Sequence, residues 1–287
     1  MLKQRSKRNL THKHWLKIAV RYFAVTAVEC SVFVAVSAAP KDVSIETIER
    51  IKLSVVPIVC AYSEDNNVHI AAGIGTGFFV DSFGRFVTAG HVLNDWEKIA
   101  PLRHACAPAT YIPDHGWRKF ERTISFESFA FVNCDREADL DLAVCEPTDN
   151  PFTSTKITKG RIAPVTFDTY EWPDGSPVAF TGFPLEYVMP ITSKGFVGGH
   201  MATPHTDSNF DYAIDKAAWP GCSGSPLYTE SGRVIGILLA AGANAGTGLS
   251  YARSAAVIVD FLARHPHINR QTQAAPAQQR QADPNTK

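Results

Sequence analysis

The sequence of 287 residues lacks the patterns that mark several common classes of protein. It contains no Gly-x-Gly-x-x-Gly loop, the pattern with which nucleotide-binding folds bring backbone N–H groups to phosphates. Its six cysteines include no Cys-x-x-Cys pair, and its ten histidines include no His-x-x-x-His pair. Because these are common spacings of metal ligands, we expect no bound metal, and we expect no other cofactor. No internal repeat is evident.

Positive charge is also scarce over most of the chain. Residues 1–21 contain seven Lys and Arg and no acidic residue, whereas residues 40–287 contain 21 basic and 27 acidic residues, a net charge of about −6. A nucleic-acid-binding protein would concentrate positive charge on its folded part. We therefore expect no nucleic-acid partner.

The first 39 residues are predicted to be an export signal or a membrane anchor. A basic leader precedes an apolar run, residues 22–39, that is interrupted by Glu29. Val36 and Ala38 occupy the two positions that a signal peptidase reads, so cleavage is expected after Ala38. An uncleaved anchor is the alternative, although a charge within the span costs about 2.5–3.5 kcal/mol. The protein is predicted to be periplasmic or secreted, with membrane contact only through residues 22–39.

The cysteines leave two alternatives open. An exported protein can form disulfides, but loss of Cys30 with the signal would leave an odd number and at least one free thiol. Spacing does not give the pairing, and buried free cysteines are an equal alternative. The five remaining cysteines are Cys60, Cys106, Cys134, Cys145 and Cys222.

Residues 40–265 consist largely of short apolar runs separated by Gly, Pro, Asp and Asn, which predicts an all-β barrel or sandwich. Short helices are predicted over about 43–52 and 254–263, the second from apolar residues at helical spacing. Residues 266–287 are rich in Gln, Ala and Pro and are predicted to be disordered. The expected organisation is a leader of residues 1–39, one folded domain and a tail.

Three segments contain the groups that acyl transfer by a serine requires, namely a nucleophile, a base, a carboxylate and N–H groups for the oxyanion. In WPGCSGSP (219–226), glycines permit a tight turn that aims the N–H groups of Gly221 and Ser223 at one point. In FVTAGHV (86–92), an apolar strand leads into a turn that presents His91. In ADLDLAV (138–144), Asp141 precedes an apolar strand. Each pattern alone is common in turns and at strand ends.

Together the three segments resemble the catalytic motifs of trypsin/chymotrypsin-like serine proteases. They occur in the order His, Asp, Ser, which is the order of the chymotrypsin type and not of subtilisin or α/β-hydrolases. The resemblance implies two six-stranded antiparallel β-barrels with a C-terminal helix, and a catalytic triad of His91, Asp141 and Ser223 in the cleft between them. It also implies an oxyanion hole formed by Gly221 and Ser223. Asp139, expected on the same strand face as Asp141, is the competing acid.

The resemblance extends over residues 52–264. Within the family, the chain resembles single-domain bacterial trypsin-like peptidases related to the HtrA protease domain. GTGFFV (75–80), GFP (182–184) and KGFV (194–197) match that branch. Two features depart from better-known members of the family. No PDZ domain is expected after Ala263, and Cys222 stands where digestive trypsins carry an Asp that pairs with a newly cut N-terminus. Activation by that ion pair is therefore not expected.

The resemblance also implies where the side chain before the scissile bond is bound. In the family the residue six positions before the nucleophile forms the base of the pocket, and the strand after Gly236 supplies walls. These positions are apolar here, and a pocket without charge cannot offset the desolvation of a cation. Cleavage is therefore expected after small or medium apolar residues. The predicted substrate-binding residues are Ala217, Leu239, Ala240, Ala241 and Leu249.

The sequence thus predicts an exported serine endopeptidase that hydrolyses peptide or protein substrates through an acyl-enzyme. The apolar residues of the pocket could instead be ordinary core, and His200 and His205 could line a pocket for acidic residues. Two alternatives for the whole protein also stay open. One is a catalytically idle peptide-binding module with the same fold, and the other is a quality-control protease anchored by residues 22–39.

Overall fold

The computed structural model describes residues 41–65, 67–102, 105–113, 126–155, 157, 161–186, 189–200, 211–241 and 248–266. The predicted leader and nearly all of the predicted tail lie outside these residues, as do Cys30 and His205. Within the part of the chain that is described, no helix combines the length and apolar character needed to cross a membrane.

The described residues form short strands and three α-helices. The strands are β1 (Val55–Glu64), β2 (Asn67–Phe79), β3 (Phe86–Ala89), β4 (Ala107–Pro113), β5 (Phe126–Glu137), β6 (Leu142–Pro147), β7 (Thr166–Phe167), β8 (Pro177–Gly182), β9 (Ile191–His200), β10 (Tyr212–Ile214), β11 (Pro226–Tyr228), β12 (Arg233–Ala241) and β13 (Ser250–Ser254). The helices are α1 (Ile45–Lys52), α2 (Gly90–Ile99) and α3 (Ala255–Arg264), and 3₁₀ turns are Ala100–Leu102, Ala138–Leu140 and Pro184–Glu186.

The strands close into two antiparallel barrels of six strands each. The first barrel has the order β1-β2-β3-β6-β5-β4. The second has the order β8-β9-β10-β13-β12-β11, closed where β11 pairs with both β12 and β8. The short strand β7 adds to β12 in parallel. The predicted all-β fold of two six-stranded barrels with a C-terminal helix is confirmed.

Buried side chains join the two barrels as well as filling them. The larger buried cluster, called the junction core below, contains Phe78 and Phe86 of the first barrel, Leu239 of the second and Phe261 of α3. All four are fully buried. Since burying a large apolar side chain contributes about 1.5–3 kcal/mol, this cluster is a main source of stability for the arrangement of the barrels. A smaller cluster fills the second barrel.

The two helices predicted from the sequence are present. Ser44 caps α1 by accepting a hydrogen bond from the N–H of Thr47, the usual way in which a serine satisfies a free N–H at a helix start. The Thr47 hydroxyl in turn donates to the carbonyl of Glu230, 2.7 Å away on the second barrel. Because β1 of the first barrel follows α1 directly, this helix also ties the barrels together.

The first barrel contains two disulfides. Cys60 on β1 pairs with Cys106 just before β4, and Cys134 on β5 pairs with Cys145 on β6. Cys222 is free and buried, so the expectation of at least one free thiol is confirmed. The pairing itself was not predictable from spacing, because it depends on which strands become neighbours in the barrel.

Candidate active site

His91 is presented by the junction of a buried strand and a helix. β3 is fully buried, and α2 begins at Gly90, so His91 lies in the first turn of the helix. This helix was not predicted from the sequence, which indicated only a turn there. A side chain on Gly90 would place its Cβ 3.1 Å from the backbone carbonyl carbon of Asp141, a closer contact than side chains usually make. The close approach of these two segments brings His91 and Asp141 together.

Asp141 lies at a sharp corner between a 3₁₀ turn and β6. Its backbone is in the left-handed region, with φ 52° and ψ 41°, a conformation that Asp and Asn tolerate better than most residues. The prediction that Asp139 shares a strand face with Asp141 is wrong, because Asp139 belongs to the exposed 3₁₀ turn before the strand begins. The corner turns Asp141 toward His91.

The Asp141 carboxylate holds His91 by two hydrogen bonds. Its Oδ1 accepts from the backbone N–H of His91 at 2.7 Å, and its Oδ2 lies 2.8 Å from the imidazole Nδ1. The backbone N–H is one of the free donors at the start of α2, where the helix dipole also favours a negative group. The carboxylate therefore fixes both the position of the residue and the orientation of its ring.

Ser223 lies in a glycine-containing turn of the second barrel. Gly221 and Gly224 both have positive φ, 92° and 87°. A Cβ on Gly224 would overlap the carbonyl of Thr76, and a Cβ on Gly221 would overlap the carbonyl of Phe183. Both positions therefore need glycine for conformation and for space.

The turn brings the Ser223 hydroxyl to the imidazole. Ser223 Oγ lies 2.8 Å from Nε2 of His91 and 3.2 Å from the carbonyl oxygen of Leu239. The side chains of His91 and Asp141 are each one-third exposed, so the row of hydrogen-bonded groups opens onto solvent. Asp141, His91 and Ser223, drawn from the two barrels, thus form one continuous chain of hydrogen bonds.

The N–H groups of Gly221 and Ser223 are oriented by the carbonyls that precede them. The carbonyl of Pro220 accepts from the N–H of Leu185 at 2.8 Å, and the carbonyl of Cys222 accepts from the N–H of Ser225 at 3.0 Å. In a trans peptide the N–H points opposite to the carbonyl of the same peptide unit. Both N–H groups are therefore turned away from those partners.

An open cavity of about 540 Å³ adjoins this turn. Ser223 and Gly221 form part of its wall, with Ile74, Ile99 and Leu185 as apolar lining. Asp95 and Lys98 of α2 also line it. A chain bound beside Ser223 would therefore meet both apolar surface and charged groups.

The predicted substrate-binding residues have different surroundings. Ala217 and Leu249 are half-buried, and they lie at the same end of the β10–β13 ladder, where Ile214 pairs with Ser250. The side chains of Ala240 and Ala241 lie outside the described residues.

Leu239 was wrongly predicted to be a wall of the substrate pocket. Its side chain is fully buried in the junction core, and only its carbonyl reaches Ser223. β12 lies between two cores, so Leu238 packs into the second barrel while Leu239 points the opposite way. An irregularity in the pairing with β13 falls at this point.

Cys222 is next to Ser223 but is not a competing nucleophile. Its side chain packs in the core of the second barrel and is almost fully buried. Burial raises the pKa of the Cys222 thiol, which keeps it in its unreactive protonated form.

Two residues that organise this site were not recognised from the sequence. Thr76, on β2, bonds to the turn around Ser223, and Leu185 holds the carbonyl of Pro220. Both fall in segments that matched the family, but the matches carried no signal about the role of either residue. Leu185 is a non-glycine residue with φ 53°, which a sequence does not reveal.

The fold and the hydrogen-bonded row of Asp141, His91 and Ser223 define the class of protein to which the chain is similar. The family model described as trypsin-like peptidase domain matches residues 75–237, more than half of the chain. The chain belongs to this trypsin-like peptidase family. No curated protein matches the sequence significantly.

Solved structures share the fold at low sequence identity. Deg5 is 21% identical over 75% of this chain and 90% of its own, with a TM-score of 0.52. The protease Rv3671c, solved in an inactive form, is 18% identical over 79% of this chain and 97% of its own, with a TM-score of 0.54. A mutant of Rv3671c from M. tuberculosis H37Rv is 16% identical, covering 84% of this chain and 98% of its own, with a TM-score of 0.53. At these identities the likeness establishes the fold.

Asp141→Asn tests whether the carboxylate is needed beyond its shape. Asparagine tolerates the left-handed backbone of this corner, so the fold should be kept. An amide would favour the wrong imidazole tautomer, and kcat for a peptide substrate should fall by about 10⁴-fold. Asp139→Asn is the matched control and should change kcat by less than about threefold. Equal effects of the two variants, or a larger effect at Asp139, would contradict the assignment.

Proposed function

We propose that the protein is a serine endopeptidase that hydrolyses peptide bonds through an acyl-enzyme. The observation that carries this proposal is the row of hydrogen bonds from Asp141 through His91 to Ser223, with 2.8 Å on each side of the imidazole. Membership of the trypsin-like peptidase family supports it. The buried state of Cys222 favours serine over cysteine chemistry.

In the proposed mechanism Ser223 Oγ attacks the carbonyl carbon of the scissile bond while His91 Nε2 accepts the hydroxyl proton. Asp141 keeps the ring in the tautomer that presents a free Nε2 and stabilises the imidazolium that forms. The tetrahedral intermediate places a negative oxygen near the N–H groups of Gly221 and Ser223. Collapse breaks the C–N bond, and His91 returns the proton to the leaving amine. Water then attacks the acyl-enzyme by the same route and releases the acid.

We propose cleavage after small or medium apolar residues. Ala217 and Leu249, half-buried at one end of the β10–β13 ladder, are the remaining described side chains assigned to the pocket. Neither carries a charge that could pair with a basic or an acidic substrate residue.

We further propose that the protein is exported, to the periplasm or beyond the cell, by way of residues 1–39. Two disulfides in the first barrel support an oxidising compartment, because cytosolic thiols are kept reduced.

Ser223→Ala should abolish hydrolysis while leaving the fold intact. The nucleophile is lost but the barrels are not, so kcat should fall on the order of 10⁴-fold or more. Release of a chromogenic amine from a peptide measures the loss, and circular dichroism checks the fold. Ser63→Ala, at an exposed position of β1, is the control and should be fully active. Retained hydrolysis in Ser223→Ala would defeat the proposal.

A cleavage profile over a peptide library tests the pocket. Peptides with Ala, Val or Leu before the scissile bond should be cut faster than those with Arg or Lys. Each methylene that fits should contribute about 1–3 kcal/mol of discrimination. Ala217→Asp should shift the preference weakly toward basic residues, since the surrounding walls do not orient a cation. A wild-type profile dominated by Arg, Lys or Glu would reject the pocket assignment.

N-terminal sequencing of the protein after expression with its leader tests export. A mature chain that begins at Ala39 and is recovered outside the cytoplasm is the expected result. An intact N-terminus in a membrane fraction would favour the anchor, and an intact N-terminus in the cytoplasm would contradict export.

A further inference from the structure

Thr76 is a buried polar residue that makes three hydrogen bonds to the second barrel, two of them to the turn around Ser223. It lies on β2 of the first barrel and is fully buried. Its N–H donates to the carbonyl of Ser223 at 2.9 Å, across the boundary between the barrels. Its carbonyl accepts from the hydroxyl of Thr88 at 2.8 Å, which holds the strand in place.

The Thr76 hydroxyl makes two further contacts that cross between the barrels. It donates to the carbonyl of Gly221 at 2.7 Å and accepts from the N–H of Phe183 at 2.9 Å. One hydroxyl thus joins the Gly221–Cys222 peptide to the start of the segment that carries Leu185. A buried hydroxyl with both roles filled is rigidly oriented, since its single proton is committed to one acceptor.

The two peptides on either side of the Gly221 α-carbon are therefore both fixed. Leu185 holds the carbonyl of Pro220 at 2.8 Å, and Thr76 holds the carbonyl of Gly221. Gly221 has φ 92°, so rotation of either peptide would face little resistance from a side chain. Without these two hydrogen bonds the Gly221 N–H could rotate away from the position where the oxyanion develops.

We propose that Thr76 is a positioning residue for catalysis, whose hydroxyl holds the N–H of Gly221 in the orientation that stabilises the oxyanion. This proposal rests on the proposed peptidase function. The hydroxyl touches no substrate and acts through the Gly221–Cys222 peptide and, by way of Phe183, through the segment of Leu185.

The test compares Thr76→Val and Thr76→Ser with the wild-type protein. Valine keeps the size of threonine but leaves the Gly221 carbonyl and the Phe183 N–H without their partner. Removal of an oxyanion donor costs about 10²–10³-fold in kcat, and a misaligned donor should cost less. We expect Thr76→Val to lower kcat by roughly 10–100-fold with KM changed by less than about threefold. Thr76→Ser, which retains the hydroxyl, should keep kcat within about threefold of the wild type.

A transition-state analogue separates positioning from general damage. A peptide aldehyde forms a tetrahedral adduct with Ser223, so Thr76→Val should weaken its inhibition by the same factor as kcat/KM. Thr110→Val is the matched control, because Thr110 is also a buried threonine of the first barrel whose hydroxyl donates to a carbonyl, that of Pro57, at 2.8 Å. It should lose stability but not kcat.

Several results would overturn the role of Thr76. They are a folded Thr76→Val with wild-type kcat, a Thr110→Val with an equal loss of kcat, and a Thr76→Val that raises KM alone. If the valine variant does not fold, a folded Thr76→Ser whose kcat is more than tenfold below that of the wild type would also overturn the role of Thr76. A wild-type protein that neither turns over peptides nor reacts with the aldehyde would overturn the peptidase function and this role with it.

Discussion

The site depends on hydrogen bonds that cross from one barrel to the other. His91 and Asp141 belong to the first barrel and Ser223 to the second, so the 2.8 Å contact between His91 Nε2 and Ser223 Oγ requires the two barrels to be held closely in place. The junction core supplies the attraction, but apolar contacts do not specify direction. Directional contacts between the barrels include the hydrogen bond from the N–H of Thr76 to the carbonyl of Ser223. They also include the hydrogen bond from the guanidinium of the buried Arg253 to the carbonyl of Leu140, at 2.9 Å.

These crossing contacts support two different turns of the site. Arg253, on β13, holds the turn that ends at Asp141, and Thr76, on β2, holds the turn that contains Ser223. Each barrel thus supports the segment of the other that carries a member of the hydrogen-bonded row. The turn around Ser223 is thus held by contacts from the first barrel, and Cys222 supplies no charge to it, since it is an uncharged residue of the core.

Strand patterning predicted an all-β fold and the two terminal helices, because it reports on local structure. The resemblance to trypsin-like proteases implied the two barrels and pointed to His91, Asp141 and Ser223, which the structure brings together. The sequence was insufficient for features that depend on contacts between distant parts of the chain. α2 was missed since its residues follow a turn motif without a clear apolar period, and the disulfide partners were set by barrel closure. Leu239 was assigned to the pocket by its place on the strand after Gly236. Because this strand is buried on both faces, its sequence shows no alternation that would have revealed which way the Leu239 side chain points. The role of Thr76 depends on contacts with residues more than 100 positions away.

The proposed function depends most directly on whether Ser223 is a nucleophile activated by His91. Reaction of the folded wild-type protein with a fluorophosphonate, followed by peptide mapping by mass spectrometry, measures this without any assumption about the natural substrate. The account predicts a single adduct on Ser223, formed at a rate that His91→Ala lowers by at least about 10³-fold. A protein that forms no adduct, or one whose adduct lies on another serine or forms equally fast without His91, would contradict it.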